Sequence, residues 1–235
     1  LFKSILFLST TLFSNSEDFR IVGWYNGNQS GISNIPWDKY THIVTGYPTQ
    51  YANGTIACNK NDTITQTIVD LAHKNNRVVQ WHNTADVIKA VFNNTDNYKE
   101  NFLNSLKTAM DECHIDGIEY DFEWNYQFLD KIGIVLPKYA DMYTDFLADV
   151  KSKIPNRIVS ADIGVWGCCS PADSYPLGVL SWINATKFNN GAFDFVNSMS
   201  YHHPKTLSID RWYEDAFFMK EIWKYNLSNV NLGIP

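Results

Sequence analysis

From Asp116 to Trp124 the sequence reads Asp-Gly-Ile-Glu-Tyr-Asp-Phe-Glu-Trp. Successive side chains of a strand point to opposite faces, so an extended run files Glu119, Asp121 and Glu123 on one side and Ile118, Tyr120 and Phe122 on the other. Three carboxylates in one file make a poor core. Out of water they repel one another and are costly to desolvate, so at least one keeps a proton at neutral pH. A carboxyl held protonated beside an ionised neighbour is equipped for general acid catalysis. The alternative is an exposed edge strand with one solvated face, where the same alternation implies no chemistry.

The elements that must position this strand follow from the hydrophobic periodicity. Arg20 to Tyr25 and Thr41 to Tyr47 read as the first two strands. Apolar residues Ile64, Ile68, Leu71 and Ala72 recur at helical spacing and lead to a third strand at Arg77 to His82. Tyr98 to Cys113 repeats the pattern with Phe102, Leu106, Ala109, Met110 and Cys113, then delivers the chain to the carboxylate strand. Pro137 can open the next helix, with Met142, Phe146, Leu147 and Val150 as its stripe up to Ile154. Ile158 to Val165 is a fifth strand, a short helix is expected around Leu177 to Trp182, Phe193 to Tyr201 is a sixth strand, and Ile209 to Tyr225 is a helix before a seventh strand at Asn229 to Ile234. Strands alternating with helices predict an α/β protein with a parallel sheet. Gly23-Trp24-Tyr25-Asn26-Gly27 lacks the dinucleotide fingerprint of an open doubly wound sheet, so the expectation is a (β/α)8 TIM barrel. Active sites of such barrels lie at the C-terminal ends of the strands, where Glu123 and Tyr201 fall.

A chain of 235 residues, 45% hydrophobic and 19% charged, can bury one large core, and a net charge of -6 disfavours nucleic acid as a partner. Its aromatic share of 15% suits sugar rings as well as core packing. Lys3 precedes an apolar run from Ile5 to Phe13 that is too short to span a bilayer, so residues 1–16 read as a clipped signal peptide before a domain at 17–235. No later segment could cross a membrane. Sequons at Asn28, Asn53, Asn61, Asn93, Asn184 and Asn226 are candidate glycosylation sites, and with the leader they predict a secreted or lysosomal protein. Cys58, Cys113, Cys168 and Cys169 allow three pairings. A bridge between the adjacent pair is disfavoured, so Cys168 and Cys169 are expected to take separate partners. A zinc site from Cys113, His114, Cys168 and Cys169 lacks the usual ligand spacing, and no metal or other cofactor is expected.

The carboxylate run resembles the Asp-Gly-x-Asp-x-Asp-x-Glu signature of family 18 glycoside hydrolases, the chitinase family. Asn197-Ser198-Met199-Ser200-Tyr201 resembles the family's Met-x-Tyr-Asp segment on strand six, and Asn231-Leu232-Gly233-Ile234-Pro235 resembles its strand seven. Arg77-Val78-Val79 and Asp162 to Trp166 are closer to the di-N-acetylchitobiase branch. The resemblance spans roughly Arg20 to Pro235 and implies a retaining glycosidase of chitin oligomers or of the chitobiose core of N-glycans. It assigns Glu123 as general acid, Asp121 as acceptor of the substrate acetamido N–H, and Tyr201 as a contact of the acetamido oxygen. Asp116 and Glu119 would tune that pair from below. Hydrolysis in this family is substrate-assisted: the N-acetyl oxygen, not a protein group, attacks the anomeric carbon. Met199, Trp24 and Trp81 are candidates for the substrate wall, with core packing as the competing role for each.

The sequence departs from the family pattern at three places. Glu119 stands where Asp is usual, His202 replaces the Asp after Tyr201 and is itself a candidate substrate contact, and no eighth strand follows the seventh. The barrel is therefore expected to be truncated after strand seven, with open edges on strands one and seven. Two other functions use the same residues: a chitin-binding lectin on the same barrel, and a barrel enzyme using the carboxylates as Mg²⁺ ligands.

Overall fold

The computed structural model describes residues 6–9, 20–84, 92, 97–122, 137–163, 183–199, 216–217, 219–221 and 223–234. Its strands in chain order are β1 (Leu6–Ser9), β2 (Ile21–Tyr25), β3 (His42–Thr45), β4 (Thr49–Gln50), β5 (Ile56–Ala57), β6 (Val78–Thr84), β7 (Gly117–Asp121), β8 (Ile158–Ile163), β9 (Phe195–Ser198) and β10 (Val230–Ile234). The helices are α1 (Thr63–Lys74), α2 (Tyr98–Cys113), α3 (Pro137–Lys153) and α4 (Ala185–Asn189). Seven parallel strands, β2, β3, β6, β7, β8, β9 and β10, curl into a barrel wall in sequence order. They are the seven strands expected from periodicity. The small β4–β5 hairpin lies outside this wall. The expected helix at Leu177 to Trp182 lies outside the described residues; residues 216, 217 and 219–221 are helical within the last expected helix.

β7 is an interior strand, paired with β6 on one side and β8 on the other, which removes the exposed-edge alternative for the carboxylate run. Its outward residues Ile118, Tyr120 and Phe122 are completely buried against α2 and α3. Tyr120 meets Phe146 edge-on at 5.3 Å, Phe122 meets Tyr143 at 5.4 Å, and Phe102 meets Phe146 at 5.9 Å. Each such buried side chain contributes about 2–3 kcal/mol, and aromatic geometry adds about 1 kcal/mol per pair. Gly117 opens the strand because nothing larger fits: a Cβ there would lie 2.7 Å from the Ile158 carbonyl oxygen.

The lower ends of the strands are stapled by two aspartates placed alike. Asp116, just before β7, accepts the Val79 N–H of β6 at 2.8 Å and the His73 imidazole at 2.8 Å. Asp194, just before β9, accepts the Val159 N–H of β8 at 2.8 Å and is paired with Lys151 at 2.8 Å. Asp116 is thus a staple at the base of the barrel, below the pair it was expected to tune. The helices are terminated as locally encoded. Asp62 caps α1 through the Thr65 N–H at 3.0 Å, and His114 ends α2 in the left-handed conformation.

Two further expectations change. The edges of β2 and β10 are not open: Leu6–Ser9, from the segment read as a leader, runs antiparallel to both and closes the ring. An apolar extended run supplies the N–H and C=O groups that two bare sheet edges lack. Cys113 is bonded to Cys58, not to Cys168 or Cys169, which lie outside the described residues. The reason is proximity: β5 packs on α2, bringing the two Cα atoms to 5.4 Å. A disulfide-bonded Cys113 is also removed from the conceivable zinc set.

The bridge closes a sequence separation of 55 residues. Reduction is expected to lower stability in urea by about 3–4 kcal/mol; an unchanged midpoint would show that the bridge contributes nothing. His42 gives a pH prediction. It is buried against the Phe195 ring, and burial followed by the charge of Arg20 lowers its pKa to about 4. The folded state then binds fewer protons than the unfolded one between about pH 4 and about 6.5, so stability falls as pH drops through that window, by about 3 kcal/mol in total. Urea titrations of the wild type and His42→Gln across it should differ by this slope.

Candidate active site

The inward faces of the strands carry polar residues that run across the barrel as one belt. Asn231 of β10 donates to Asn197 of β9 at 2.8 Å, and Asn197 donates to Asp162 of β8 at 2.9 Å. Asp162 and the Trp24 indole of β2 are the neighbours that favour the ionised form of Glu119 of β7, whose Oε1 is buried without a hydrogen-bond partner among the described residues. On its other side Glu119 Oε2 lies 2.5 Å from His82 Nδ1 of β6, and His82 Nε2 lies 3.9 Å from Asp121 Oδ2. One layer lower, Gln80 donates to Ser160 at 2.8 Å. Strand register accounts for these meetings: His82 is opposite Glu119, Asp121 opposite Asp162, and Asp162 opposite Asn197.

The carboxyls differ in exposure and hence in chemistry. Glu119 and Asp162 are buried, and desolvation, with the charges of neighbouring carboxylates, raises the pKa of each well above its ordinary value. Asp162 and Trp24 pull Glu119 the other way, as does the hydrogen bond from Asn197 to Asp162, while Glu119 pushes Asp162 further up. Asp121, one turn of the pleat higher at the C-terminal end of β7, keeps 32% of its side chain open to solvent. The strand therefore grades from a buried acid that holds protons to a carboxylate that a ligand can reach. Tyr47, beyond the end of β3, stacks edge-on to His82 at 5.3 Å and is 47% exposed, placing an aromatic surface beside that carboxylate.

The residues singled out from sequence divide cleanly. Glu119, Asp121 and Trp24 come together. Met199 is buried beyond the end of β9, in the parity of Asn197. Trp81 is 1% exposed and packs in the core outside the sheet, because its parity is opposite to that of His82; of its two expected roles, core packing holds and the place at the sugar-facing wall does not. Glu123, Tyr201 and His202 lie outside the described residues. Asn28, Asn53, Asn61 and Asn226 are exposed, and Asn93 lies outside the described residues. Asn184 is half-buried, and its amide donates to Asp141 at 2.7 Å while its oxygen caps α4. His82, Asn197, Asn231 and Tyr47 were assigned no role from sequence. Parity along each strand was the available signal: inward Gln80 and His82 alternate with outward Val79 and Trp81. Among the described residues, no group of three or more His, Cys, Asp or Glu is arranged to hold a metal ion, and no helix is long and apolar enough to cross a membrane.

The model of the family described as glycosyl hydrolases family 18 matches residues 20–221. Among solved structures, a chitinase from Bacteroides thetaiotaomicron is similar at 18% identity and a TM-score of 0.64, covering 89% of this chain and 64% of its own. A chitinase from Chromobacterium violaceum is similar at 11% identity and 0.63, covering 89% and 66%. The spore cortex-lytic enzyme SleL of Bacillus cereus is similar at 15% identity and 0.63, covering 90% and 49%. The chain thus spans about half to two thirds of the length of these structures, and at such identities the likeness is one of fold. No curated protein sequence matches it.

The buried carboxyls carry a prediction of their own. Because Glu119 binds its proton more tightly in the folded state than in the unfolded one, its contribution favours folding at low pH and is lost as pH rises from its unfolded value toward its higher folded value. Glu119→Gln should therefore gain stability relative to wild type as pH rises above the ordinary glutamate range of about 4. Urea unfolding at a series of pH values would contradict this if the difference were flat or of opposite sign.

Proposed function

We propose, from the premise that the chain belongs to family 18 of the glycosyl hydrolases, that it is a glycosidase of chitin or other N-acetylglucosamine glycans, acting on β-1,4 bonds with retention. The observation that carries this reading is the graded pair on β7: Glu119 buried and Asp121 reachable at the C-terminal mouth of the barrel. That mouth is where barrel enzymes place their chemistry. In the proposed reaction Glu123 gives its proton to the glycosidic oxygen as the bond to C1 breaks. The acetamido oxygen of the same sugar forms the new bond to C1, giving an oxazolinium. Asp121 accepts the acetamido N–H and stabilises the positive charge that develops there, and Tyr201 holds the acetamido oxygen. Glu123, now ionised, takes a proton from the water that attacks C1 as the bond from C1 to the acetamido oxygen breaks, which reopens the acetamido group and, by a second inversion, leaves the configuration retained.

The similar structures, two chitinases and a spore cortex-lytic enzyme, support the substrate class without choosing within it. A narrower assignment to the di-N-acetylchitobiase branch rests on the short segments Arg77 to Val79 and Asp162 to Trp166. A secreted or lysosomal setting is supported by the Cys58–Cys113 bridge, which persists in oxidising compartments, and by the four exposed sequons.

A chromogenic chitobioside should release its chromophore with the wild-type chain, and Glu123→Gln should lower the rate by at least about 10³-fold with binding retained. Tight binding of chitin oligomers by the wild type without turnover would replace this reading with a lectin.

A further inference from the structure

His82 stands between two carboxylates of unlike burial. Its Nδ1 lies 2.5 Å from Glu119 Oε2, inside the barrel, and its Nε2 lies 3.9 Å from Asp121 Oδ2, at the mouth. The ring is mostly buried, with its backbone N–H donating to the Gly46 carbonyl at 3.1 Å and Tyr47 packed edge-on against it. Its orientation is therefore set by its own strand, by β7 and by the segment after β3. Among the described residues, the charged and titratable groups that face it are Glu119 and Asp121 from β7 and Tyr47 from beyond β3, with Asp162 of β8 behind Glu119.

We propose that His82 is a positioning residue for Asp121: anchored through Nδ1 on Glu119, it presents Nε2 to Asp121 and so sets which way that carboxylate turns. The inference rests on the hydrolase reading for the task of Asp121, but the coupling itself does not. When Nδ1–H is donated to Glu119, the remaining nitrogen has two states. As a lone pair it repels an ionised Asp121, and the carboxylate turns toward the mouth, where an acetamido N–H can meet it. As N–H⁺ it attracts the carboxylate and holds it inward, away from a ligand. The extra methylene of Glu119, compared with the Asp usual in the family signature, extends its carboxyl from the strand, and the imidazole occupies the position beside it. The acid's departure and the histidine form one unit.

Two substitutions separate the two arms of the ring. Asn places an amide near Nδ1 and keeps the Glu119 contact; Gln reaches the position of Nε2 and keeps the contact toward Asp121. His82→Asn is expected to lower kcat on a chitobioside by about 10–100-fold with KM changed little, while His82→Gln recovers part of the loss. The pH profile of kcat should lose an ionisation in both. The opposite ranking, with His82→Asn active and His82→Gln not, would assign His82 to mere support of Glu119 and overturn the proposal. A readout independent of turnover is the ¹⁵N titration of the His82 ring in wild type and in Asp121→Asn, where His82 itself is untouched. A changed Nε2 titration supports the coupling even if the wild-type chain hydrolyses nothing, in which case the hydrolase reading alone fails. An unchanged titration overturns the proposal whatever the activity.

Discussion

Removing ionisable carboxyls from water is the constraint on which the middle of this barrel depends. Glu119 and Asp162 are both buried. Leaving even one ion there without partners would cost several kcal/mol, while an ordinary hydrogen bond returns about 1 kcal/mol net. The belt from Asn231 through Asn197, Asp162 and Glu119 to His82 meets that cost in two ways. Asn197 of β9 and His82 of β6 supply hydrogen bonds to the two carboxyls, and burial together with their mutual repulsion raises both pKa values, which favours the protonated forms. Asparagine is suited to the links because each amide donates to one neighbour and accepts from the other.

The opposite face of β7 makes that arrangement rigid. Ile118, Tyr120 and Phe122 interlock with aromatic side chains of α2 and α3, so the strand cannot slip by one residue without turning its carboxylates into the outer core and its aromatics into the barrel. Gly117 and Asp116 hold the lower end: the glycine lets Ile158 and Gln80 close on the strand, and the aspartate ties it to β6. Packing outside and below the sheet thereby fixes the height at which Asp121 emerges.

Much of this was legible from residue order. The seven parallel strands, three long helices and the unlike faces of the carboxylate strand follow from periodicity, since a two-residue alternation in a covered strand admits few arrangements. Trp81 and His82 show where reading by residue type falls short. A tryptophan suggested a sugar platform and a histidine suggested nothing, yet neighbouring residues of a strand face opposite ways, and the tryptophan went to the core while the histidine went to the site. Asp116 shows the same for charge: it belongs to the motif by spacing and to the base of the barrel by position. The Cys58–Cys113 bridge depended on how β5 docks on α2, which no cysteine spacing contains.

By itself the sequence determined the alternation of strands and helices and the filing of Glu119 and Asp121 on one face, because backbone geometry imposes a period of two on any strand. Its motif also announced the family. Only the tertiary structure decided which groups meet across strands, since register depends on the stagger of the whole barrel and not on any local run of residues. That stagger places His82 against Glu119, Asp162 beside it, and two asparagines beyond. It also gave Leu6–Ser9 its place between β10 and β2, where two sheet edges offer the hydrogen bonds that an apolar strand can complete.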